Sequence, residues 1–141
     1  MSDDDAFREH SEVELQTIGF EEFPPDLNCV GEVRRFVRRT LDAVGISDDR
    51  IFECQLVADE LATNSVCHAG TAFSVAVELT DTFIRIAVRD DSSAEPVRRD
   101  PNVEATSGRG LMLVSGTSQS WGMVPLGVGK ETWADVKSSA V

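Results

Sequence analysis

The 141 residues fit one compact domain with one sizeable core. The formal net charge of -12, from 25 acidic and 13 basic residues, argues against binding nucleic acid through a basic surface. No apolar run approaches ~20 residues, and the N-terminus lacks the basic-then-apolar order of a secretory signal, so neither a membrane span nor export is expected and the chain is read as cytoplasmic.

Residues 1–12 are polar and acidic and are expected to form a disordered tail, with 13–141 as a single domain. Val13 to Phe20 reads as a first strand, followed by a stop at Phe23-Pro24-Pro25-Asp26. A helix is expected from about Leu27 to Val44, ended by Gly45, with Leu27, Val30, Val33 or Arg34, Val37, Leu41 and Val44 along its apolar stripe. Arg34, Arg35, Arg38 and Arg39 crowd its middle. They form either a solvated face or a docking surface for an acidic partner.

A second helix follows, with Asp48 and Asp49 as cap candidates, and Gly70 ends it. Val57, Glu60, Leu61, Asn64 and His68 are three or four residues apart and share one face. That face changes from apolar to polar and sets the Glu60 carboxylate beside the Asn64 carboxamide. Such a pair can orient water and hold a hard metal ion, although E-x-x-x-N also occurs on ordinary helix surfaces. Cys29, Cys54 and Cys67 show no metal-binding spacing and read as buried structural thiols.

Phe73–Leu79 and Phe83–Val88 alternate as strands joined by a tight turn at Thr80-Asp81-Thr82, and Arg89-Asp90-Asp91 closes the second. Residues 91–107 lack periodicity and read as a long functional loop. Gly108, Arg109, Gly110 and Leu111 then open a short helix whose free N–H groups can meet an anion; a plain turn explains the same residues. Ser120–Pro125 and Glu131–Lys137 read as a terminal hairpin. The order gives a two-layer α/β sandwich, a mixed, mostly antiparallel sheet covered on one face by helices. It gives neither alternating β-α-β units nor a P-loop at Gly127-Val128-Gly129-Lys130.

The polar features fit one ligand class, a nucleotide. Asp90 can accept a hydrogen bond from an exocyclic base amine, which favours adenine over guanine. Asn64 can ligate Mg²⁺ between phosphates, the Gly108–Gly110 amides can hold terminal phosphates under a lid formed by 91–107, and Glu60 can take a proton from an attacking hydroxyl or water.

The segments DELATNSVCHAG, VRDDS, SGRGLMLVSGTSQSWG and GKETWADV together resemble the GHKL ATPases, the superfamily of histidine-kinase catalytic domains and DNA gyrase B. Within it the chain is most similar to bacterial anti-sigma-factor serine kinases of the RsbW and SpoIIAB type, in their actinobacterial single-domain form. The resemblance covers roughly Phe23 to Val136 and implies the Bergerat ATP-binding fold. It implies Glu60 as catalytic base, Asn64 as Mg²⁺ ligand and Asp90 as adenine reader. Gly108, Arg109, Gly110 and Leu111 match the phosphate-side glycine box. The implied activity is Mg·ATP-dependent phosphorylation of a STAS-domain anti-anti-sigma factor, combined with binding of a sigma factor. Homodimers occur among such relatives, and the arginine-rich helix, Arg35 above all, corresponds to their partner surface. A second reading is a nucleotide-gated binding module without phosphotransfer. One departure is Ser92, where many members of the family carry glycine.

Overall fold

Apolar residues at helical and two-residue spacings sort the chain into two layers. The computed structural model describes residues 14–92 and 120–138. The strands are β1 (Gln16–Phe23), β2 (Phe73–Leu79), β3 (Phe83–Asp90), β4 (Ser120–Pro125) and β5 (Lys130–Lys137). They pair in the order β1-β2-β3-β5-β4, with helices α1 (Val30–Asp42) and α2 (Asp48–Asn64) packed on one face. This is the expected two-layer α/β sandwich. The sheet, expected to be mixed and mostly antiparallel, pairs antiparallel throughout the described residues.

The first strand lies three residues later than its expected place. Phe23, rather than the segment before Phe20, pairs with Phe73 at the end of β2. The reason is aromatic packing: the Phe23 ring stacks on Phe73 at 5.6 Å and meets Phe36 edge-on at 6.2 Å. Asp26 then accepts a hydrogen bond from the Asn28 N–H at 2.9 Å and caps a single 3₁₀ turn, Leu27–Cys29, before α1. α1 is therefore shorter than its sequence pattern suggests. Leu27 and Val44 fall outside it and are exposed, while Phe36 joins Val33, Val37 and Leu41 in the core.

Ser47, not Asp48 or Asp49, caps α2, its hydroxyl accepting from the Arg50 N–H at 3.4 Å. The two aspartates sit in the first turn, where their charge favours the unpaired N–H groups. Ile51, Cys54, Val57, Ala58, Leu61 and Ala62 form the buried face. Past Asn64 the helix widens into a π-turn, Ser65–Ala69, which closes with the Gly70 N–H on the Ser65 carbonyl at 3.3 Å. Gly70 adopts φ +66, the left-handed stop that glycine reaches at no steric cost.

On β3 the inward residues are Ile84, Ile86, Val88 and Asp90, all buried. Their partners on β5 are Val136, Ala134, Thr132 and Lys130. The apolar period thus ends in a charged pair at one end of the sheet, and β3 runs two residues beyond Val88 to include it. The other sheet face is held by polar contacts. Arg85 makes a two-point ion pair with Asp135 at 2.7 and 3.0 Å and lies over the Trp133 ring at 4.1 Å. Gly122 stands opposite Trp133, leaving the ring the room that a Cβ would occupy.

Candidate functional site

Asp90 is the centre of the polar end. Its side chain is 3% exposed, and a carboxylate so far from water is held by the donors around it. The Ser65 hydroxyl donates to Oδ2 at 2.7 Å, the Ser92 backbone N–H donates to Oδ1 at 3.1 Å, and Lys130 Nζ lies 3.1 Å from both oxygens. Each partner arrives for a local reason. The π-turn after Asn64 turns Ser65 inward. The chain bends after β3 so that Ser92 faces back to Asp90. Antiparallel pairing puts Lys130 directly across from Asp90.

Gly129 fixes the start of β5. Its φ is +82, and a Cβ there would overlap the Asp90 carbonyl oxygen, so only glycine admits this close approach. Ser92 contributes its backbone N–H to Asp90, a contact that needs no glycine at this position.

Glu60 and Asn64 lie one turn apart on the last part of α2, both half-buried. Asn64 immediately precedes Ser65, so the Ser65–Asp90 hydrogen bond ties this helix end to the end of β3. Three of the sequence-derived candidates, Glu60, Asn64 and Asp90, therefore stand at one end of the sandwich. Gly108, Arg109, Gly110 and Leu111 lie outside the described residues, as do residues 1–13 and the greater part of the 91–107 loop. Among the described residues no three His, Cys, Asp or Glu side chains gather into a metal-binding cluster. A single carboxamide oxygen at Asn64 suits Mg²⁺, which takes few protein ligands and completes its shell with phosphate oxygens and water.

Ser65 and Lys130 are the residues that sequence reasoning missed. Lys130 stood in a glycine-flanked segment, and only the β3–β5 register reveals its partner. Nothing in the sequence distinguishes Ser65 from other helical serines. His68, on the shared face of α2 by spacing, is exposed, because the π-turn breaks the helical phase before it. Cys67 is also exposed, against the expectation of three buried thiols, whereas Cys29 and Cys54 are buried. Burial pushes the Cys54 thiol up to about 12.

A second polar feature lies between the helices. Gly31, Arg34, Arg35 and Arg38 of α1 and Phe52, Gln55, Leu56 and Asp59 of α2 line a groove of about 400 Å³. Arg34 Nε is 3.2 Å from Asp59 Oδ1, yet is not aligned for a hydrogen bond, and Oδ1 is buried without one among the described residues. Burial raises the Asp59 carboxyl to about 6; Arg34 opposes this and Glu60 adds to it. Among the described residues no helix is long and apolar enough to cross a membrane.

Comparison with known proteins places these features in a family. No curated protein matches the sequence. Among solved structures, the histidine kinase domain of the blue-light activated histidine kinase from Erythrobacter litoralis EL346 is similar at 18% identity with a TM-score of 0.48. The match covers 82% of this chain and 62% of that one, so the chain spans less than two thirds of that protein's length. The family model described as "Histidine kinase-like ATPase domain" matches residues 23–128, a span that includes Glu60, Asn64, Ser65 and Asp90. The chain belongs to the histidine kinase-like ATPase domain family.

Proposed function

We propose that the chain is a Mg·ATP-dependent serine/threonine protein kinase of the RsbW and SpoIIAB type, whose phosphoacceptor is a STAS-domain anti-anti-sigma factor and which also binds a sigma factor. The observation that carries the proposal is the Ser65–Asp90 hydrogen bond, which joins the helix end bearing Glu60 and Asn64 to the strand end bearing Asp90. In this reading Asp90 accepts from the adenine amine and Asn64 ligates the magnesium ion. Bound Mg²⁺ supplies charge neutralisation of the phosphates. Glu60 accepts the proton of the partner's serine or threonine hydroxyl. The oxygen so freed forms a bond to the γ-phosphorus as the bond to the β-phosphate oxygen breaks, and ADP leaves. Gly108, Arg109, Gly110 and Leu111 would face the phosphates.

The arginine groove supports a protein partner. Arg34, Arg35 and Arg38 stand beside the exposed Phe52, a combination that suits an acidic segment carrying an apolar side chain. The same groove also fits the second reading, a nucleotide-gated module that sequesters its partner without phosphotransfer. A phosphotransfer assay with labelled ATP and candidate STAS proteins separates the two. Transfer is expected with the wild type, together with a loss of at least about 100-fold in Glu60→Gln at nearly unchanged ATP affinity. ATP binding with no transfer to any candidate partner would leave only the binding module.

A further inference from the structure

The ends of β3 and β5 hold more chemistry than one base-reading carboxylate requires. A carboxylate offers about four lone-pair positions. At Asp90 the Ser65 hydroxyl, the Ser92 N–H and Lys130 Nζ fill three with hydrogen bonds, and Lys130 Nζ also lies 3.1 Å from the second oxygen. A base amine gains full access to Asp90 when one of these crowding donors withdraws. Ser65 has its backbone fixed in the π-turn and only a short side chain to move, and the Ser92 N–H is main chain. Lys130 alone sits on a flexible stem, and its side chain retains 14% exposure.

We propose that Lys130 is a second base-reading residue: on nucleotide binding it cedes Asp90 to the adenine amine and donates its own N–H to adenine N1. The chemistry of the edge supports the exchange. Adenine carries a donor, the N6 amine, directly beside an acceptor, N1. Asp90 and Lys130, paired across β3 and β5, offer an acceptor directly beside a donor. An ammonium displaced from a buried carboxylate needs a new acceptor close by, and N1 supplies it. Hypoxanthine presents the reverse edge, with O6 as acceptor and N1–H as donor, and meets Asp90 and Lys130 with its groups exchanged. The close approach of Gly129 to the Asp90 backbone holds the two residues in register.

This assignment rests on the reading of the site as a nucleotide site, and the test separates the two. ATP, ITP and 1-deaza-ATP, in which N1 is replaced by C–H, are titrated calorimetrically into the full-length wild type, Lys130→Met and Lys130→Arg. Each variant is checked by thermal melt. In the wild type, 1-deaza-ATP is expected to bind at least about 10-fold more weakly than ATP. Lys130→Met is expected to bind ATP about 10-fold more weakly than wild type, to lose its preference over 1-deaza-ATP and to narrow the ATP-to-ITP ratio; Lys130→Arg keeps ATP within about threefold. A folded Lys130→Met that binds ATP as tightly as wild type, or more tightly, overturns the assignment and leaves Lys130 a counter-ion. If Lys130→Met does not fold, equal wild-type affinity for ATP and 1-deaza-ATP overturns it just as well, and the expected difference upholds it. A wild type that binds none of the three overturns the nucleotide-site reading itself.

Discussion

Replacing Asp90 with asparagine keeps the shape and removes the charge, and the structure gives the size of the consequence. The pair it breaks is nearly dry, with Asp90 3% and Lys130 14% exposed. Removing one partner of a buried pair costs about 3–5 kcal/mol, because the other charge remains without a counter-ion. Lys130 keeps some access to water, so the lower end, about 3 kcal/mol, is expected here. For a domain of this size that lowers the melting temperature by roughly 10 °C. Lys130→Met in the same chain removes the orphaned ammonium and should restore at least about half of the loss, a double-mutant cycle that isolates the pair. Nucleotide affinity should not recover with it. Losing a charged acceptor for the adenine amine costs about 1.5–3 kcal/mol, or roughly 10- to 150-fold in Kd, in Asp90→Asn, and the double variant, which also lacks Lys130, should bind no more tightly. Differential scanning calorimetry and ATP titration measure the two effects separately. An Asp90→Asn protein that melts within about 2 °C of wild type contradicts the buried-pair energetics, and one that binds ATP with wild-type affinity contradicts the role of Asp90.

Further expectations concern the groove, the turn and the thiols. Asp59, raised to about 6 from 3.8, keeps a proton in the native state between those values that the unfolded chain has already released. The unfolding free energy therefore falls as pH rises through that window. After allowance for its partial exposure, the fall from pH 5 to pH 7.5 should be about 1 kcal/mol larger in wild type than in Asp59→Asn by urea denaturation; equal slopes would refute it. Gly129→Ala should cost at least about 3 kcal/mol, since it adds a clash with the Asp90 carbonyl to an unfavourable φ. Gly127→Ala, which meets nothing within 4 Å, is the control and should stay within about 0.5 kcal/mol of wild type. In native protein a maleimide should label Cys67 promptly and spare Cys54 until unfolding; equal labelling rates would contradict the burial of Cys54.

The layers were legible because they rest on local periodicity. β2 and β4 have the expected bounds, and both helices end at the expected glycines or a few residues before them. The errors lie where a distant partner decides. β1 is displaced because Phe23 stacks on Phe73, fifty residues away in sequence. Phe36 enters the core through the same aromatic cluster, while Leu27 and Val44, apolar and correctly spaced, are left outside a shorter α1. The candidate site shows the same division. Glu60 and Asn64 are separated by one helical turn, which sequence spacing alone dictates. The donors that hold Asp90 are not legible in that way. Ser65 needs the π-turn to face inward, and Lys130 needs the β3–β5 register, forty residues apart in the chain.

Location of the nucleotide site is the central claim, and ATP titration of isotopically labelled protein, followed residue by residue through its amide resonances in the presence of Mg²⁺, tests it most directly. The expected result is a set of shifts concentrated on residues 60–66, 90–92 and 129–132, with the arginine groove of α1 and α2 little affected. Shifts confined to that groove, or no saturable shifts at millimolar ATP, would contradict it.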